Sequence, residues 1–160
     1  MLKDILLYVA IFTFLGSTLI AWYEGSTIMN NPIEWKYSTP FTELFNGEVK
    51  DGKEINQLDY FIYAAKFHPT FPSFMIASSY FILCILGYHL IKIKSKSILT
   101  FWSLLSFFIL LLASFLFKSA TISGGILFCI VLASGLCSIS VLVYVSLKNV
   151  KSKVVKNNGH

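Results

Sequence analysis

The chain has 160 residues, of which 56% are hydrophobic and only 13% charged, with a mean hydropathy of +0.70. Soluble domains carry about 25% charged residues, so this composition speaks against an ordinary soluble domain and for a membrane protein built as a single domain, 1–160. The net charge is +5, yet every one of the 13 basic residues is Lys; with no Arg for bidentate contacts to bases and phosphates, no nucleic-acid partner is expected.

The first apolar span runs from Ile5 to Trp22. A cleaved secretory signal fits it poorly, because Lys3 is followed at once by Asp4 and no pair of small residues marks a cleavage site. Trp22 and Tyr23 suit the interfacial anchors of a retained helix.

The polar segment 23–70 comes next and is rich in aromatics. "EWKYS" alternates and predicts a short strand over 34–38. "TPFTELFNG" predicts a helix, with Thr39 as N-cap, Pro40 in the first turn and Gly47 just past the end. "EVKDGKEI" places Asp51 and Gly52 between extended flanks and predicts a hairpin. "NQLDYFIYAAKFHP" predicts an amphipathic helix that Pro69 stops. Leu58, Phe61, Ile62 and Ala65 share its apolar face, and it is expected to lie flat at the membrane interface. About 45 residues cannot bury a self-sufficient core, so these aromatics must lean on the bilayer, the helix ends or a partner.

Three more apolar spans follow, at 71–91, 98–117 and 121–147, and a tail occupies 148–160. Each span comes close to or exceeds the roughly 20 residues that carry a helix across a ~30 Å hydrocarbon core. None has an interior charge, and open sheet edges are excluded from lipid. The sequence therefore predicts an all-α protein of four transmembrane helices, with a small folded extracytoplasmic cap between the first and second. Lysine placement sets the orientation. Lys3, Lys92, Lys94, Lys96, Lys148, Lys151, Lys153 and Lys156 fall on one side, while the other side holds five lysines and seven acidic residues. Both termini are thus expected in the cytoplasm.

Candidate chemistry is sparse. Cys84, Cys129 and Cys137 lie inside apolar runs and suggest neither a disulfide framework nor a metal site. Glu24 stands two residues past the first span and reads as a structural tie to Lys66 or Lys118. His68 and His89 are about one membrane thickness apart and cannot share a metal or haem within one straight helix. Ser26, Ser38, Ser73, His68 and Asp59 show no nucleophile-elbow spacing. No catalytic residue, metal or cofactor is assigned, and an enzyme is not expected. If a pocket lies beneath the cap, its expected lining is Glu24, Trp35, Lys66 and His68. In the fourth span Gly124, Gly125, Ala133, Gly135 and Cys137 are expected to mediate helix packing, because small residues let helices approach closely in lipid.

"AWYEGS", "PIEWKYS" and "DYFIYAAKF" resemble a group of small YjdJ-like membrane proteins from Gram-positive, spore-forming bacteria. The resemblance covers roughly the first 70 residues. It implies a bacterial plasma-membrane location and supplies no activity. The functional expectation is a non-enzymatic protein that binds membrane lipids and a membrane-protein partner, or assembles with itself. The alternative is a lipid or small-molecule binding protein, carrier or enzyme, with its pocket under the cap.

Overall fold

A computed structural model of the chain describes the backbone of residues 2–91, 95–117 and 121–157, and the side chains of residues 4–87, 98–117 and 121–149. The described residues are helical or irregular, with no strand among them. Four long helices correspond to the apolar spans: α1 (Leu2–Gly25), α5 (Thr70–Ile91), α6 (Ser95–Phe117) and α7 (Ile122–Asn157). All four are long and apolar enough to cross a membrane. Three short helices, α2 (Pro32–Ser38), α3 (Pro40–Asn46) and α4 (Gln57–Phe67), lie between α1 and α5.

The long helices pair as two hairpins, α1 with α5 and α6 with α7, and α5 joins them by touching both α6 and α7. On α1 small and polar residues hold the inner face, on α6 and α7 they alternate with larger apolar ones, and Phe and Leu cover much of the outside. On α1 the buried residues are Ala10, Ser17, Ala21 and Gly25, while Phe12, Leu15 and Leu19 are exposed. On α6 they are Ile98, Trp102, Ser106 and Ala113, again at helical spacing. This distribution suits a bundle whose solvent is lipid, where bulky apolar groups gain nothing by turning inward.

On α7 the buried stripe is Gly124, Leu127, Val131, Gly135 and Ser138. Gly135 packs on α6, where an added Cβ would meet Ile109 and Leu110 at 3.2 Å. Of the five small residues singled out on this span, Gly124 and Gly135 lie in the stripe, whereas Gly125, Ala133 and Cys137 are exposed. Ser138 is fully buried, donates to the Ser134 carbonyl at 2.9 Å and lies 3.2 Å from the Tyr80 hydroxyl, linking α7 to α5.

Several expectations for the segment between α1 and α5 are corrected. Residues 34–38 are helical, part of α2, not a strand. A lone strand would leave its backbone groups unpaired, whereas a helix satisfies them locally, and Pro32 is already placed in the first turn. The hairpin at 48–55 is a single 3-10 turn, Gly52–Glu54, in which the Asp51 carboxylate accepts from the Lys53 amide at 3.2 Å. Gly52 is needed for close approach: a Cβ there would lie 2.5 Å from the Met29 carbonyl oxygen. The helix after Pro40 forms as expected and ends at Gly47, whose φ of 82° suits glycine.

The buried face of α4 is Asp59, Tyr60, Tyr63 and Ala64, not the set around Leu58, which is exposed. Tyr60 sits against Gly25 near the end of α1, while Phe74–Phe81 of α5 share a groove with Leu6–Thr13. Both α4 and α5 therefore pack on α1, α4 near its C-terminal end and α5 along its first half.

Candidate functional site

The 26–67 module is the part of the chain where polar side chains converge. Its apolar centre is Ile28, Ile55, Tyr60 and Tyr63, with Trp35 and Val49 packed against it. The centre forms because a 3-10 turn, Ser26–Asn30, folds the chain back directly after α1 and buries Ile28 completely. The Trp35 indole N–H donates to the Ile28 carbonyl at 2.9 Å, and the Asn31 amide donates to the Tyr63 hydroxyl at 3.3 Å. The module therefore has a small core of its own, completed by α1, whose Trp22 ring lies 6.3 Å from that of Tyr60.

Asp59 organises the polar half. It is fully buried, yet its two oxygens accept from the Phe41 amide at 2.9 Å and the Thr42 amide at 2.8 Å. The Thr42 hydroxyl donates to the same carboxylate at 2.5 Å and accepts from the Asn56 amide at 2.7 Å. The first amides of a helix have no partner within the helix. Here the carboxylate comes from α4, because the hydroxyl of Thr39, the residue in the N-cap position of α3, turns back to the Trp35 carbonyl. With both oxygens engaged, Asp59 serves as a structural cap rather than a general base.

A second polar contact ties α2 to the far end of α4. Lys66 lies 2.6 Å from the Glu34 carboxylate, to which the Ser38 hydroxyl also donates at 3.1 Å. The Lys66 ammonium stands 5.0 Å from the Phe67 ring centroid and 5.9 Å from that of Tyr37. Its hydrogen bond to Glu34 is the main reason that carboxyl is held below its ordinary pKa of 4.5. A carboxylate depressed by folding stabilises the fold above its unfolded pKa and loses that contribution as pH falls through the folded value. Acidification from pH 6 to pH 3 is expected to cost the module about 1 kcal/mol through this pair, in the range of a partly exposed ion pair. Chemical denaturation of wild type and Glu34→Gln across that range checks it. The gap between the two should close on acidification, and a constant gap would refute it.

Lys66 is thus bonded to Glu34 and not to Glu24. The other partner considered for Glu24, Lys118, lies outside the described residues, as do the side chain of His89 and those of the lysines beyond Asn149. Glu24 is half-buried at the end of α1, with a buried Oε2 that meets no hydrogen-bond donor among the described residues. A buried carboxylate oxygen without a donor costs free energy. Glu24→Gln is therefore expected to leave thermal stability unchanged or raise it by up to about 1 kcal/mol. A fall of that size would reveal a tie on this carboxylate.

Of the four residues expected to line a pocket, Trp35 lies in the module core, Lys66 in the ion pair, Glu24 at the end of α1, and His68 on the surface at the C-terminal cap of α4. An open cleft of about 630 Å³ does lie in the module. Pro32, Trp35, Lys36, Glu43, Gly47, Glu48 and Val49 line it, so it contains one of the four. Glu34, Thr42 and Asp59 escaped assignment as structural centres because partners 17 to 32 residues apart leave no local pattern. The sequence signal that would have marked the contact face of α1 is the small-residue spacing Ala21-x3-Gly25, which was not singled out.

Residues 5–91, from the first turn of α1 to the end of α5, match the family described as Domain of unknown function (DUF4306). The chain belongs to that family. It is also 34% identical over 87 residues to the "Uncharacterized protein YjdJ" of Bacillus subtilis (strain 168), covering 53% of this chain and 80% of that protein. No solved structure matches the chain. The DUF4306 match takes in the whole 26–67 module together with the two helices that carry it, and leaves the α6–α7 hairpin outside.

Proposed function

We propose that this DUF4306 protein is a non-enzymatic, multi-pass protein of a bacterial plasma membrane. Its 26–67 module is an extracytoplasmic cap that docks another integral membrane protein. The observation carrying this reading is the apolar surface of the two shortest helices. Ile33 is 81% exposed and Tyr37 69% on α2; Leu44 is 74% exposed and Phe45 65% on α3. Exposed clusters of large apolar side chains mark interaction surfaces. The opposite sides of the same helices are fixed by Trp35, Thr42 and Asp59, so the surface is preorganised and little ordering cost remains on binding. The protein co-purified after gentle detergent extraction is the test. Ile33→Ser, Leu44→Ser and Phe45→Ser combined should remove a membrane-protein partner that wild type retains. An unchanged set of co-purifying proteins would count against the surface, and a change confined to self-association would redirect the reading to a homo-oligomer.

In this reading both termini are cytoplasmic, supported by the excess of lysine at the end of the bundle opposite the module. In a background with the three native cysteines replaced, a cysteine at position 50 should take an impermeant label in intact cells and one at position 94 should not. The reverse pattern would invert the topology.

The cleft supports a second reading, a carrier or binding protein for a lipid or small molecule. A fixed indole beside Lys36, Glu43 and Glu48 offers an apolar wall and charges of both signs. Quenching of Trp35 fluorescence by an added ligand, lost in Trp35→Phe, would favour it over partner docking.

A further inference from the structure

The second half of the chain carries an unbalanced charge. From position 60 to position 160 there are nine lysines and no Asp or Glu. Four of these lysines fall in α7 beyond its apolar part, at 148, 151, 153 and 156, and one falls in the first turn of α6, at 96.

The register of the α6–α7 hairpin brings the two groups together. Gly135 lies against Ile109 and Leu110, and the rings of Phe117 and Phe128 are 5.6 Å apart. Carried along the same antiparallel pair, this register sets position 96 level with position 148. An independent link agrees. Gly87 of α5 meets Phe101 and Trp102 of α6, and Tyr80 of α5 meets Ser138 of α7, so the end of α5 lies at the same level.

Heights follow from the helix rise. α7 is continuous to Asn157, and its apolar run ends at Leu147. At ~1.5 Å per residue, positions 151 and 153 lie about 5 and 8 Å beyond position 148. Both are within one Debye length, ~8–10 Å, of a headgroup plane at that level. Position 96 lies two residues before the apolar window that opens at Ile98.

We infer that this end of the α6–α7 hairpin, with positions 96 and 148 level and positions 151 and 153 within about 8 Å beyond them, is a docking surface for the phosphates of anionic phospholipids. Charge complementarity selects the occupant. Positions 96 and 148 put a lysine on each of two adjacent helices at one height, and neither helix has an Asp or Glu in its sequence to offset that charge. The nearest abundant anion at that height is the lipid phosphate. Juxtamembrane lysines attract anionic headgroups through the same field. The surface lies outside the part of the chain that matches DUF4306, so this lipid preference is a property added by the hairpin.

The test uses the full chain in nanodiscs of phosphatidylcholine with a minority of phosphatidylglycerol, followed by mild extraction and mass spectrometry of the retained lipid. Each lysine near the surface adds about fivefold at low salt, so the retained ratio of phosphatidylglycerol to phosphatidylcholine should exceed the supplied ratio at least about fivefold. It should fall to the supplied ratio on raising salt from about 50 to about 500 mM. Lys96→Gln, Lys148→Gln, Lys151→Gln and Lys153→Gln combined should remove the enrichment. The matching Lys→Arg set should keep it, as should Lys36→Gln, Lys50→Gln and Lys53→Gln in the module. Retention at the supplied ratio by wild type, enrichment insensitive to salt, or equal enrichment in the four-glutamine variant would each overturn the inference. Loss through the module variant alone would overturn it as well.

Discussion

Replacing Asp59 with Ala should unfold the 26–67 module while leaving the four long helices in place. The carboxylate receives two amides and one hydroxyl inside a site closed to water. Truncation strands the Phe41 and Thr42 amides and frees a hydroxyl that also holds the Asn56 amide. Each stranded buried donor costs about 1–3 kcal/mol, so the loss should reach about 3–5 kcal/mol. That is a large share of the 5–15 kcal/mol that holds an ordinary domain. Asp59→Asn keeps one acceptor but turns an NH2 toward a donor, and should cost about half as much. Hydrogen exchange of the Phe41 and Thr42 amides in detergent reports the outcome directly. Wild-type protection in Asp59→Ala would show that water or another side chain caps α3 equally well.

Gly25→Ala should separate α4 from α1. An added Cβ would lie 1.9 Å from the Tyr60 carbonyl oxygen and 2.4 Å from its carbon. These are backbone atoms in the middle of a helix, so no rotamer change relieves the clash. The helices must move apart by more than an ångström, which pulls the Trp22–Tyr60 ring pair apart and loosens a region where Ala21 of α1 and Ala64 of α4 are both fully buried. Overpacking of this kind costs about 3 kcal/mol or more. Gly16→Ala is the internal control. It lies in the same helix with nothing within 4 Å of the added Cβ, so it should be neutral or stabilising by up to about 1 kcal/mol from helix propensity. Thermal unfolding of the two variants side by side decides the matter. Similar midpoints would mean that α1 and α4 slide past each other freely. The same experiment bears on the proposed cap, whose apolar surface stays preorganised only while α4 is held against α1.

The long helices were readable from composition and length alone, because lipid leaves a chain few choices. Every backbone group in the hydrocarbon must be satisfied within its own segment. The helix after Pro40 and its stop at Gly47 were readable for a similar local reason, since proline fixes φ near the start and glycine accepts positive φ at the end. The family resemblance too was legible in the first 70 residues.

The module was legible only in outline. Residues 34–38 alternate as a strand would, but the described residues hold no second strand for them to pair with, and an isolated strand has no ladder. The apolar face of α4 pointed to Leu58, whereas the fold buries Asp59. A hydropathy pattern ranks a carboxylate as the last residue to bury, and it cannot register that a helix 17 residues upstream offers two unpaired amides. The partner of Lys66 was sought at Glu24 and lies at Glu34. Both acids are close enough in sequence to be candidates, and only the path of the chain through Ser26–Asn30 and α2 brings one of them within 2.6 Å. Amino-acid order therefore determined what lipid and local backbone geometry dictate. The tertiary fold alone decided which polar groups meet, because a hydrogen bond or ion pair acts over about 3 Å and depends on positions that many intervening residues set together.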